Sequence, residues 1–117
     1  MTPDRDGYRL THMRDSAREA MELARGKCRA DLDLDRLLNL ALVRLLEILG
    51  EAAARVSAGC RDAHPEVAWP AIVGLRNRLI HGYDSVDFDI LWKIVDGDLP
   101  PLVVTLGRIL DGRPERP

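Results

Sequence analysis

The sequence predicts an all-α fold, a bundle of four to five helices. Three observations predict it. Leucine, alanine, valine and isoleucine recur at three- and four-residue spacing along most of the chain, the period of a helix with one buried face. Aromatic residues make up only 4% of a chain that is 46% hydrophobic, so aliphatic side chains must fill the core, which suits packed helices. Capping and breaking residues stand where the apolar stripes begin and end. At 117 residues the chain fits one domain. Residues 1–112 are expected to form it, with 113–117 as a loose tail.

The first helix is expected from about Asp4 to Arg25. Leu10, Met13, Ala17, Ala20, Met21 and Ala24 form its apolar stripe, and Gly26 is a stop. Lys27 to Leu34 reads as a connection, with Asp33 or Asp35 as N-cap of the next helix. That second helix is expected from about Asp35 to Ser57. Leu38, Leu42, Leu45, Leu49, Ala52, Ala53 and Val56 make one stripe, and Leu37, Leu40 and Ile48 carry apolar character beyond it. A helix this apolar is expected to be covered on two sides, by its own subunit and by a partner subunit.

Arg44, Glu47 and Glu51 interrupt that surface. They read either as ion pairs on the helix surface or as carboxylates, Glu47 or Glu51, that orient an arginine from elsewhere. Gly50 costs about 1 kcal/mol relative to alanine inside a helix, so it points to a close helix approach. Ala58 to Ala68 is expected as a loop or short turn with His64 exposed. Trp69 reads as a packing anchor and, with Pro70, opens a third helix carrying Ala71, Ile72, Leu75, Leu79 and Ile80 at helical spacing. Asp87 is a fair N-cap for a short helix through Phe88, Ile90, Leu91, Ile94 and Val95, which Gly97 ends. Pro100 and Pro101 start a last helix through Leu110.

Chemistry concentrates in one stretch. Arg76, Asn77, Arg78, His81 and Tyr83 fall within eight positions of a chain with only three histidines and two tyrosines. His81 is expected on the last turn or cap of the third helix, where the helix dipole favours an imidazolium. Gly82 fits the left-handed position just past the end. On a continuous helix Arg76 and His81 diverge by roughly 140°, whereas Arg78 and His81, three apart, come close. One helix therefore presents Arg76 and His81 poorly to one substrate. Two copies facing across a two-fold axis would bring both types of residue into one cleft, so a homodimer with a composite site is expected.

Arg76-Asn77, three residues, then His81 resembles the arginine–polar–spacer–histidine signature of HEPN domains, and Tyr83 two places on is similar to the HepT branch. Trp69-Pro70, Val86-Asp87 and Asp98-Leu99-Pro100-Pro101 are also similar. The likeness runs from about Leu37 to Leu110, and the motif shows no departure. The resemblance implies a ribonuclease toxin of a type VII toxin–antitoxin pair, with Arg76 and His81 catalytic and Asn77 and Arg78 supporting or binding RNA. It also implies a partner, the minimal nucleotidyltransferase (MNT) antitoxin, which transfers AMP to Tyr83 and blocks the toxin. The RNA target, tRNA or mRNA, and any assembly above the dimer stay open.

Other functions lack their residues. No Gly-rich phosphate loop, dinucleotide fingerprint or Gly-x-Ser-x-Gly elbow is present. Scattered histidines and the isolated Cys28 and Cys60 give no metal-ligand spacing, so neither metal nor cofactor is expected. The net charge of −2 offers no global field for nucleic acid, so RNA must be met by a local patch around Arg76 and Arg78. A polar amino terminus and the lack of an apolar run near ~20 residues predict no signal peptide and no membrane helix, hence a cytoplasmic protein. What remains is metal-independent phosphodiester chemistry, with a histidine to move protons and an arginine to stabilise the phosphorane. On spacing alone, Arg76 and Arg78 read as surface charges and His81 as a helix-end residue; the whole pattern with its flanks reverses that. The rival reading is a non-catalytic helical module that binds and regulates a nucleotidyltransferase, and a weaker one is a plain oligomerisation domain.

Overall fold

A computed structural model of the chain describes residues 4–82 and 85–113. The helices are α1 (Arg5–Ala24), α2 (Asp31–Leu34), α3 (Arg36–Ala54), α4 (Ala58–Ala63), α5 (Trp69–Val73), α6 (Leu75–Leu79), α7 (Phe88–Lys93) and α8 (Leu99–Asp111). The two-residue strands β1 (Ile80–His81) and β2 (Ser85–Val86) form a small antiparallel hairpin between α6 and α7. The all-α class expected from the sequence holds. All five expected helices are present, the third in two pieces, and α2 and α4 add short helical turns to segments expected as connections. Among the described residues, no helix is long and apolar enough to cross a membrane.

Local sequence explains most of the boundaries. Asp4 caps α1 by accepting from the Gly7 N–H at 3.0 Å, and Asp35 caps α3 through the Leu38 N–H at 3.0 Å. Asp33, the other candidate cap, instead pairs with Arg29 at 2.9 Å. Gly26 ends α1 at φ +73°, the left-handed conformation that glycine adopts without penalty.

The core lies where α1 packs along α3 and α8. Leu10, Met13, Ala17 and Ala20 of α1 are buried against Leu42, Leu46, Leu49 and Ala53 of α3 and Leu99 and Leu106 of α8. Leu46, rather than the expected Leu45, takes the fully buried place on α3. Asn39 is the polar side chain buried in this core, and its amide donates to the Leu32 carbonyl at 2.9 Å. That bond fastens α2 to α3 and satisfies a group that would otherwise be costly to bury.

Three expectations fail for identifiable reasons. Gly97 does not end the helix after Asp87. It lies in a π-helical turn, Ile94–Asp98, that runs into α8, where the Leu99 N–H reaches the Ile94 carbonyl five residues back. Pro100 and Pro101 have no N–H with which to continue the ordinary ladder, and the wider turn bridges the gap. His64 is half-buried rather than exposed, its backbone carbonyl accepting from the buried Trp69 indole at 3.0 Å. Arg113, expected in the loose tail, folds back on Asp4 with contacts of 3.2 and 2.5 Å, tying the end of α8 to the start of α1.

Candidate active site

The site begins with a glycine. A methyl group on Gly50 would stand 2.9 Å from the backbone carbonyl oxygen of Ile72, so α5 lies directly against α3 at this point. Helix α5 stops at Gly74, whose N–H bonds back to Pro70, and α6 resumes at Leu75. Ile72, Leu75 and Leu79 are buried, which fixes the rotation of both pieces. Arg76 is thereby set beside α3.

Arg76 is exposed, and its Nε lies 4.0 Å from the Glu47 carboxylate, which is mostly covered. Arg76 and Asn77 share a cavity of about 290 Å³ with Glu47, Gly50, Glu51 and Val73. Glu51 lines the same cavity, but its carboxylate pairs with Arg44 at 3.5 Å. Of the two carboxylates proposed to orient an arginine, Glu47 is the one that faces Arg76.

Arg78 goes elsewhere. It lines a separate, largely apolar cavity of about 430 Å³ with Leu49, Val67, Asp98, Leu102 and Thr105. Residues two apart on a helix point in different directions, and the structure puts Arg76 and Arg78 in different cavities.

His81 is not on the last helical turn. Helix α6 ends at Leu79 with Ile80 as its cap, and His81 sits in β1, in register with Ser85. The helical spacing that would have set Arg78 against His81 therefore does not apply. Gly82 does adopt a positive φ, +78°, but as part of the hairpin turn. The Asp87 N–H donates to the Leu79 carbonyl at 2.8 Å, closing the hairpin onto α6. The His81 side chain is 58% exposed, and its Nε2 lies 3.8 Å from the Asp87 carboxylate. Asp87 also caps α7, accepting from the Ile90 N–H at 3.1 Å. Sequence reasoning found the cap and missed the histidine contact, because only the hairpin turns His81 towards it. Tyr83 lies outside the described residues.

Within one subunit, then, each motif residue types its own surroundings: Arg76 beside Glu47, His81 beside Asp87. Neither of the two cavities that take the arginines is lined by His81. Outside them runs the outward stripe of α3, Leu37, Leu40, Arg44, Glu47, Ile48 and Glu51, where Leu37 is 81% and Leu40 49% exposed. The subunit leaves Leu37 and Leu40 uncovered, and Glu47, beside Arg76, stands further along the same helix. Among the described residues, no three His, Cys, Asp or Glu side chains gather as a metal-donor set.

Comparison with known proteins agrees with the motif. The family model described as Ribonuclease HepT-like matches residues 13–109. A Methanocaldococcus jannaschii protein named "Putative RNase MJ1380" is 36% identical over 88 residues, covering 75% of this chain and 81% of its own length. The "Probable ribonuclease HepT" of Thermococcus cleftensis is 38% identical over 81 residues, 69% of this chain and 74% of that protein. The "Putative RNase TTE0752" of Caldanaerobacter subterraneus is 34% identical over 101 residues, 86% of this chain and 90% of that protein. No solved structure matches the chain. With the family model spanning most of the sequence and the Arg76-to-His81 motif inside the match, the chain belongs to the HepT-like ribonuclease family.

Proposed function

We propose that the protein is a metal-independent endoribonuclease toxin that works as a homodimer in the cytoplasm, with Arg76 and His81 from both copies in one composite cleft. RNA carries its own nucleophile. His81 of one copy takes the proton of a 2′-hydroxyl, and the 2′-oxygen attacks the adjacent phosphorus. The 5′-oxygen leaves and takes a proton from His81 of the second copy. The products are a 2′,3′-cyclic phosphate and a 5′-hydroxyl. Arg76 stabilises the phosphorane charge with its paired N–H donors, held in place by Glu47, and Asn77 beside it donates to a phosphate oxygen. Arg78, in another cavity, takes no part in the bond-breaking step.

The observation that carries the reading is the arrangement of the motif itself. Its arginine and histidine are both exposed, each has a carboxylate neighbour, and Leu37 and Leu40 stand uncovered on the outward stripe of α3, the helix that carries Glu47. A second copy laid on that stripe would bury Leu37 and Leu40 and supply the second arginine and histidine. The relatives named as ribonucleases support the substrate class.

The neutralising partner in this reading is an MNT-type nucleotidyltransferase. The Tyr83 oxygen attacks the α-phosphorus of ATP, pyrophosphate leaves, and the phenolic proton passes to solvent. The added nucleotide is anionic and only two residues from His81 in sequence, so it repels RNA phosphates and obstructs the cleft.

The test is to incubate the protein, unmodified at Tyr83, with total RNA and tRNA in EDTA, beside His81→Ala. Cleavage by the wild type alone supports the reading. Equal cleavage by both places the activity elsewhere. No cleavage by either favours a non-catalytic module that regulates a nucleotidyltransferase.

A further inference from the structure

We infer that Asp87 is a positioning residue for His81, fixing which imidazole nitrogen receives the proton; the inference rests on the ribonuclease reading above. Four contacts hold this residue. Its carbonyl accepts from the Leu91 N–H at 3.0 Å. Its N–H donates to the Leu79 carbonyl at 2.8 Å, which joins it to the end of α6. Its Oδ1 accepts from the Ile90 N–H at 3.1 Å, which caps α7. Its Oδ2 is left over, and it lies 3.8 Å from His81 Nε2. The hairpin register of His81 with Ser85 places the imidazole on this side. The backbone of Asp87 is thus tied to α6, one carboxylate oxygen is held by the α7 cap, and the remaining oxygen faces the histidine.

The chemistry follows from which nitrogen is engaged. A carboxylate beside Nε2 favours the tautomer with its proton there and leaves the Nδ1 lone pair free. Nδ1 is then the atom that takes the 2′-hydroxyl proton. The imidazolium that forms has the Asp87 charge next to it, and no proton needs to pass to the carboxylate. At 3.8 Å the groups are close enough for an ion pair and too far for a hydrogen bond. Bound RNA excludes water and strengthens the attraction, and such contacts commonly tighten only with substrate in place.

An N-cap requires an acceptor and no charge, so the two roles of Asp87 separate by substitution. Asparagine and serine both cap helices well. Asp87→Asn and Asp87→Ser are compared with wild type and His81→Ala on a defined RNA oligonucleotide in EDTA. Thermal melting and the ¹⁵N shifts of the His81 imidazole are followed alongside. Both variants are expected to melt like the wild type and to keep KM. Their kcat falls at least about tenfold, part of the about 10²- to 10⁴-fold that a positioned acid–base group supplies, and the imidazole shifts move towards a mixture of tautomers. If His81→Ala is inactive while both Asp87 variants stay within about twofold of wild-type kcat, well short of that range, the inference is wrong. If the wild type itself is inert, the ribonuclease reading fails. The nitrogen shifts then decide the pairing alone: shifts unchanged by Asp87→Asn refute it, and altered shifts support it.

Discussion

Gly50 on α3 and the carbonyl of Ile72 on α5 touch so closely that even a methyl group does not fit, at 2.9 Å. This contact sets how near the motif-bearing helices lie to α3. Replacing Gly50 by alanine gains about 1 kcal/mol of helix propensity and meets an overpacking cost of about 1–3 kcal/mol against backbone that cannot rotate away. The cost wins. Gly50→Ala is expected to lower the melting temperature by about 4 °C and to weaken RNA cleavage by displacing Arg76 from Glu47. A melting temperature above the wild type's would show that α5 yields easily.

Glu47 and Glu51 are one turn apart and both line the Arg76 cavity, yet only Glu47 faces the guanidinium. Glu47→Gln is expected to cut cleavage about tenfold while changing stability by less than about 1 kcal/mol, since Arg76 is well exposed and the pair is screened. Glu51→Gln is expected to match the wild type in both. Steady-state kinetics and urea unfolding of the two variants check this, and equal kinetic losses would contradict it.

Leu37 and Leu40 are exposed in the subunit, so a charge there does not disturb its core. Leu37→Glu with Leu40→Glu is expected to yield folded monomers by analytical ultracentrifugation, with cleavage lost at the same time. Active monomers would remove the composite site.

Acid should act on the connection after α1. The Cys28 backbone N–H, 2.7 Å away, holds the Asp31 carboxylate below its ordinary range. A carboxylate lowered on folding contributes stability that is complete above its unfolded value of about 3.9 and is lost as the pH falls through the folded value. Asp31→Asn is therefore expected to be less stable than wild type at neutral pH, with the difference shrinking as the pH falls below about 4. Urea unfolding across that range checks the sign.

What the sequence disclosed was whatever depends on neighbours along the chain. Asp35 and Asp87 as caps, Gly26 as a stop, Pro100 and Pro101 as a helix start, and Trp69 as an anchor are all one-turn effects. The α1 stripe was legible because four of its positions meet a continuous core. The break at Gly74, the pairing of Ile80 and His81 with Val86 and Ser85, and the π-helical turn were not. Each depends on how a segment is pinned from outside, by α3, by Asp87 reaching Leu79, or by prolines further on. The site divides the same way. Arg76 and His81 stood out by type and spacing. That Glu47 rather than Glu51 faces Arg76, and that Asp87 faces His81, depends on helix rotation and on the hairpin, which no local pattern specifies.

The central claim is that His81 activates the RNA's own 2′-hydroxyl. Its most direct test uses one RNA oligonucleotide, cleaved by the wild type in EDTA, and a second with a single 2′-deoxy nucleotide at the cleavage position. The account predicts that the first yields a 2′,3′-cyclic phosphate and a 5′-hydroxyl, and that the second is not cut at that position. Cleavage of the deoxy-substituted strand at a comparable rate would contradict it.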